Sequence, residues 1–214
     1  MKNILLFLCS LFIGVILLLG YKTLTLKRNN QPVTTSLSKP TQFSLEKAPR
    51  DSIRAGILSL SGKVEWQSRT AGTPVSITKP QSIQQGEIIT TGENGKVVIK
   101  VPAVSLISMS PKTKLNFIQT LPADLVLEQD NGISRYTKTG AVPVSIRSMD
   151  LLVTLIDGVS TLSVDMADDS VSVTVEKGSL TAAYNDSQNT SNLTTVNAGD
   201  TFVFNDDTLE GSIQ

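Results

Sequence analysis

Gly86–Val101 reads GEIITTGENGKVVIKV, and its reading decides the fold. Two runs rich in β-branched residues, Glu87–Thr91 and Lys96–Val101, flank Gly92-Glu93-Asn94-Gly95. Branched side chains suit the pleated surface of a strand, and Asn-Gly between two such runs predicts a hairpin with a type I′ turn. In the second run Val97, Ile99 and Val101 alternate with Lys96, Val98 and Lys100, which predicts one face in the core and the lysines in solvent.

Working outward, the same grammar of strand, turn and strand recurs. Toward the N-terminus, Ala55–Leu60 and Gly62–Trp66 form an expected hairpin-like pair, followed by a Pro/Gly/Ser/Gln-rich connection over 70–85. Toward the C-terminus, strands are expected at 104–109, 114–118, 124–128, 133–136, 143–147, 151–156, 159–164, 171–175, 179–184 and 201–204. Asp130-Asn131-Gly132, Asp157-Gly158, Asp165–Asp169, Asn185–Asn192 and Asn197–Asp200 separate them as turns and loops. No segment after Lys22 repeats its apolar positions with a helical period. The expected fold is all-β: a sandwich, roll or solenoid-like domain of about a dozen short strands.

Ahead of this domain, Asn3–Tyr21 (NILLFLCSLFIGVILLLGY) carries no charge and is long enough to cross about 30 Å of hydrocarbon. A cleaved signal peptide has a shorter apolar core and small residues at its cleavage site, which Leu-Leu-Gly-Tyr-Lys does not supply. Cys9 lies in mid-run, away from any lipidation context. The expected organisation is a transmembrane signal anchor at 1–21, a polar linker with three prolines at 22–51, the β domain at 52–206 and a C-terminal tail at 207–214. The flanking charges (Lys2 before; Lys22, Lys27 and Arg28 after) do not favour export, but long domains translocate largely regardless of charge. The domain is therefore expected outside the cytoplasm, on a single-pass anchor through residues 3–21 in the cytoplasmic membrane.

Composition narrows the chemistry. Lys+Arg and Asp+Glu are both 19, which argues against a nucleic-acid partner, since that needs a basic face. There is no histidine, so the commonest general base and metal ligand are missing. Cys9 is the sole cysteine, so the β domain holds no disulfide and no thiol nucleophile. No G-x-S-x-G occurs, and the nearest approach to Ser-Lys chemistry is Ser110-Pro111-Lys112. Carboxylates for glycoside hydrolysis need only be close in space, but no aromatic-lined stretch supports that chemistry, with aromatics at just 5% of the chain. Asp165, Asp168 and Asp169, with Asp206 and Asp207 elsewhere, match no calcium loop. Asn185, Asn189 and Asn192 each open an Asn-X-Ser/Thr triplet in a polar loop whose composition produces such matches. Trp66 alternates with Val64 and is expected to face the core rather than stack on a ligand. No catalytic residue, cofactor site or metal site is assigned.

From about Ser61 to Phe204 the chain resembles the FecR-like extracytoplasmic domain. The likeness is carried by Gly62-x-Val64, by Gly86–Gly92 with Gly95–Ile99, and by Ser105–Pro111 with Thr113 and Leu115. It continues in Leu125-x-Leu127-Glu128 with Gly132, in Leu155-x-Asp157-Gly158 through Val164, in Val171-x-Val173-x-Val175 through Leu180, and in Val196-x-Ala198-Gly199-Asp200. The resemblance implies an all-β domain outside the cytoplasmic membrane that relays a signal from an outer-membrane receptor, with no catalytic residues to carry over. Iron-uptake regulators of that family place an anti-sigma segment before the span, where this sequence has Met1–Asn3, and a receptor-docking extension after the domain. Where they often carry Gly-Thr-x-Phe, this chain has Gly158–Leu162. The expected function is a non-catalytic binding or signal-relay module at the cell envelope, with another envelope protein or a cell-wall polymer as partner. A self-associating structural module is the alternative, and an extracytoplasmic hydrolase a more remote one.

Overall fold

The computed structural model describes residues 48–214. The expected anchor at 1–21 and nearly all of the expected linker at 22–51 lie outside the described residues. Alternation governs what is described. Lys96–Val101 (β6) buries Val97, Ile99 and Val101 and leaves Lys96 and Lys100 in solvent, as a period of two requires.

The expected hairpin at Gly92–Gly95 does not form. Ile88–Thr91 (β5) pairs with Val64–Gln67 (β2), whereas β6 pairs with Ala55–Ser61 (β1). The expected pairing of Ala55–Leu60 with Gly62–Trp66 fails for the same reason. The register runs from Gly56↔Lys100 to Ser61↔Lys96 and resumes from Val64↔Thr91 to Gln67↔Ile88. Residues 55–67 and 88–101 are thus one antiparallel ribbon, and both of its strands bend at the same place. Asn94 and Gly95 keep negative φ, so the turn is not of the I′ type that reverses a hairpin. Gly95 N–H closes it onto Gly92 O at 3.0 Å. The two bends bond to each other: Lys63 N–H donates to Asn94 Oδ1 (3.0 Å) and Gly92 N–H to Lys63 O (2.8 Å).

The device repeats along the chain. Ser105–Met109 (β7) bends through 110–113 into Lys114–Leu121 (β8). Three long strands pass straight through: Asp124–Lys138 (β9) at Gly132, Leu151–Asp165 (β11) at Gly158, and Ser170–Asn185 (β12) at Gly178. Ser191–Asn197 (β13) crosses through Gly199 to Thr201–Asn205 (β14). The bends line up as a seam, and the single fifteen-stranded sheet folds over on it into two layers. In order, the first layer holds Ser82–Ile83 (β4), β1, β6, β7, the second halves of β9 and β11, the first half of β12, β14 and Glu210–Ile213 (β15). The second layer holds Val75–Ser76 (β3), β2, β5, β8, the first half of β9, Val144–Ser148 (β10), the first half of β11, the second half of β12, and β13. Neighbours are antiparallel except β9 and β10. Inward side chains of both layers merge into one apolar cluster. There is no helix among the described residues.

Glycine is required where the seam is tightest. Gly158 and Gly178 oppose each other in register with φ of +82° and +77°. A Cβ on Gly158 would stand 1.9 Å from Lys177 O, and one on Gly178 would stand 2.5 Å from Asp157 Oδ1. Only a residue without a side chain fits both the angle and the space. Finally, Glu210–Ile213, placed above in a C-terminal tail at 207–214, is a strand: β15 extends the first layer through Phe202↔Ile213 to Asn205↔Glu210.

Candidate functional site

The residues singled out in the sequence are mostly committed to holding the fold. Trp66 packs against the core, and its Nε1–H donates to Glu87 Oε2 at 2.9 Å. That same oxygen accepts Gln84 N–H at 2.9 Å, so Trp66 and Glu87 tie down the connection before β5. Ser110 and Lys112 sit in the bend between β7 and β8. Ser110 O accepts the Thr91 hydroxyl (2.6 Å), and the exposed Lys112 meets the exposed Glu93 (3.4 Å). The acidic residues are brought nearer than their spacing suggests. Asp206 N–H donates to Asp169 O at 2.8 Å, so the β11–β12 and β14–β15 loops lie side by side. Their carboxylates cap neighbouring backbone instead of converging: Asp165 Oδ1 takes Ala167 N–H (2.9 Å) and Asp206 Oδ1 takes Asp150 N–H (3.0 Å). Among the described residues no group of three or more Cys, Asp or Glu is placed to hold a metal. Asn185 and Asn189 are exposed, while the Asn192 amide is held by Asp186 Oδ2 (3.2 Å) and Thr190 O (3.1 Å).

A buried polar network escaped the sequence reading. Tyr136 and Gln129 sit on the two halves of β9, on either side of the Gly132 bend. The Tyr136 hydroxyl donates to Gln129 Oε1 (2.8 Å), Gln129 Nε2–H to Gly132 O (2.7 Å), and the Ser148 hydroxyl to Gln129 O (2.9 Å). Burial pushes the Tyr136 hydroxyl well above its ordinary range, so it keeps its proton and remains a donor. Without these bonds a buried amide would cost more than an apolar side chain of its size, so the network is structural.

A surface with free recognition groups lies at the end opposite the seam. There an open cleft of about 590 Å³ separates the β12–β13 loop from β14 and β15. Tyr184 forms its floor, with ring centroids 5.1 Å from Phe204 and 6.1 Å from Phe202. Its walls carry Gln188, Asn192, Asn205, Glu210 and Ser212, so both layers contribute. One rim is rigid because Asp186 Oδ1 accepts Gln188 and Thr190 N–H, each at 2.9 Å. The Thr190 N–H chiefly, with the Asn192 amide and Gln188 N–H, holds the Asp186 carboxyl below its ordinary range. Asp186-Ser-Gln-Asn-Thr carries the Asx-turn signal of the polar loop expected at 185–192; its place in a cleft has no such signal. Amides, hydroxyls and a carboxylate around an aromatic floor can bind a polar chain.

The sheet edges at the two ends of the strand order are unequal, and only β13 and β15 lie beside the cleft. At the N-terminal side, β3 and β4 are two residues each and follow Pro74 and Pro80 closely. At the C-terminal side, β13 runs for seven residues and β15 for four.

No family model and no curated protein matches the chain. Its fold is similar to two crystal structures of a proposed anti-sigma factor from Parabacteroides distasonis, at 2.50 Å and 1.65 Å resolution. Identity is 13% and 11%, with a TM-score of 0.50 in both. Each match covers 59% of this chain and 58% of the other. At such identity the likeness is one of fold.

Proposed function

We propose that this chain is a membrane-anchored, extracytoplasmic binding module that relays a signal by contact and carries out no reaction of its own. The observation that carries this reading is the polar cleft at the end opposite the seam, where both layers present side chains beside unpaired strand edges. Edges of this kind add an extended segment of a partner through main-chain bonds, with side-chain pockets giving selectivity. The order of FecR-like motifs over 61–204 and the fold shared with anti-sigma factor structures support the relay reading. The apolar run at 3–21 supports the anchor and the single-pass topology. Another envelope protein, or a cell-wall polymer, is the partner such a surface suits.

The test is capture of partners from envelope extract by the full chain in mild detergent, compared with a variant carrying Gln188→Ala and Ser212→Lys. A partner retained by the native chain and lost from the variant supports the reading. Equal recovery by both, or none by either, removes the cleft as the recognition site.

A further inference from the structure

The β13 edge carries an inference that does not depend on the relay reading. Ser191-Asn-Leu-Thr-Thr-Val-Asn197 has no charge, no proline and no bulge, the devices that keep an edge from pairing. Its backbone phase is fixed by its neighbour. Ala198 N–H donates to Gly178 O and Asp186 N–H to Thr190 O, each at 3.0 Å, so even-numbered residues of β13 bond toward β12. In an antiparallel strand the alternate residues then point the other way. Among the described residues, Ser191, Leu193 and Thr195 therefore direct N–H and C=O to an edge without a partner, while the Asn197 C=O accepts Asp200 N–H at 3.0 Å. Their side chains lie on the outer face, where Leu193 is 73% exposed. Leu193 is opposite Ala183, which is opposite Leu152, itself 39% exposed, in one cross-strand row.

We propose that β13 pairs antiparallel with β13 of a second copy, across a two-fold axis centred on Leu193. That register is self-complementary. Leu193 of one copy faces Leu193 of the other, Asn192 faces Thr194, and Ser191 faces Thr195. Apolar thus meets apolar and polar meets polar, with no like charges opposed. The outward N–H and C=O of Ser191, Leu193 and Thr195 all gain partners, and the row Leu152–Ala183–Leu193 continues into the second molecule. A register centred two residues later would set Leu193 against Asn197 and Thr194 against Val196, mismatching both faces.

The test uses the full chain in mild detergent with Cys9→Ser, which removes the sole native thiol. Directly opposed residues of a bonded pair have Cα atoms about 5.5 Å apart, within disulfide reach. Leu193→Cys is expected to form disulfide dimers at least about tenfold more efficiently than Thr195→Cys, whose copies would lie about 14 Å apart. Ser191→Cys mixed with Thr195→Cys is expected to cross-link although neither does so alone. Leu193→Lys, at an exposed position that leaves the core intact, is expected to abolish the dimer in sedimentation with an unchanged circular dichroism spectrum. Cross-linking of Leu193→Cys no better than that of Ile213→Cys on the β15 edge, or a silent Ser191/Thr195 mixture, overturns the proposal.

Discussion

The seam and the end opposite it join the same two layers by different means. At the seam, backbone comes close to its neighbours: Gly158 to Lys177 O, Gly178 to Asp157 O and Oδ1, and Lys63 N–H to the Asn94 side chain. At the far end side chains do the filling. Tyr184 packs on Phe202 and Phe204, and Gly211 lies so close to these rings that a Cβ would stand 2.4 Å from Phe202. At Gly158 and Gly178 the seam leaves no room for a Cβ, so geometry dictates the residue there. The far end is closed by apolar rings and polar loops, so its surface residues are free to serve recognition.

The largest effect expected comes from placing a methyl group in the seam. Gly158→Ala must adopt φ near +82° and displace Lys177 O, and is expected to cost about 3 kcal/mol, lowering Tm by roughly 10 °C. Gly199 has φ of +97° but nothing within 4 Å of a Cβ, so Gly199→Ala should cost only about 1 kcal/mol. Equal losses in thermal melts would show that crowding at the seam is not what selects glycine.

Deleting one hydroxyl at each end sharpens the contrast. Tyr136→Phe leaves Gln129 Oε1 buried without its donor and is expected to cost about 2 kcal/mol in denaturant unfolding. Tyr184→Phe removes only a long 3.4 Å bond to Gly211 O at a half-buried site, and should stay within about 0.5 kcal/mol of the native chain.

Another small effect lies on the outer face of the first layer. Arg135 binds Glu176 through two bonds of 2.7 Å, and the Thr161 hydroxyl adds a third at 3.0 Å. The Arg135 guanidinium holds the Glu176 carboxyl below its ordinary range. A lowered carboxylate pKa stabilises the fold above the unfolded value of 4.5, and that contribution fades as pH falls through the lower folded value. With side chains 48% and 37% exposed, solvent screens the pair to less than about 1 kcal/mol. The stability gap between the native chain and Glu176→Gln should shrink between pH 7 and pH 3; a gap that widens on acidification would contradict the pair.

Alternation of apolar residues made the strands legible, and the inward set (Val97, Ile99 and Val101; Leu125 and Leu127; Val171, Val173 and Val175) is buried as its period predicts. Pairing was not legible, because glycine has two uses that look alike in one dimension. Asn94-Gly95, Asn131-Gly132 and Asp157-Gly158 read as reversals but are bends within strands that continue into the other layer. Five true reversals carry positive φ at Ala103, Met149, Asp169, Asn189 and Leu209, none of them glycine, and the sixth, at Pro122-Ala123, carries none. Of these, the loops around Asp169 and Asn189 were foreseen from their polar composition. The one around Leu209 was not, and with it β15 was missed. The Gln129–Tyr136–Ser148 network was invisible for another reason: Gln129 and Tyr136 meet only because β9 bends between them at Gly132, and none is an unusual residue in a strand. The cleft arises from loops that meet only once β15 is in place.

Because β9, β11 and β12 each belong to both layers, the layers cannot slide past one another without breaking a strand. Were the angle between them to change, the seam would be the axis, like a spine between covers, and the shared apolar cluster would have to part. Displacement then grows with distance from that axis and is greatest at the fore-edge, where Tyr184 and Asn192 of one layer face Asn205 and Gly211 of the other. A small angular change anywhere along the spine is thus delivered, amplified by the lever arm, to the width of the cleft.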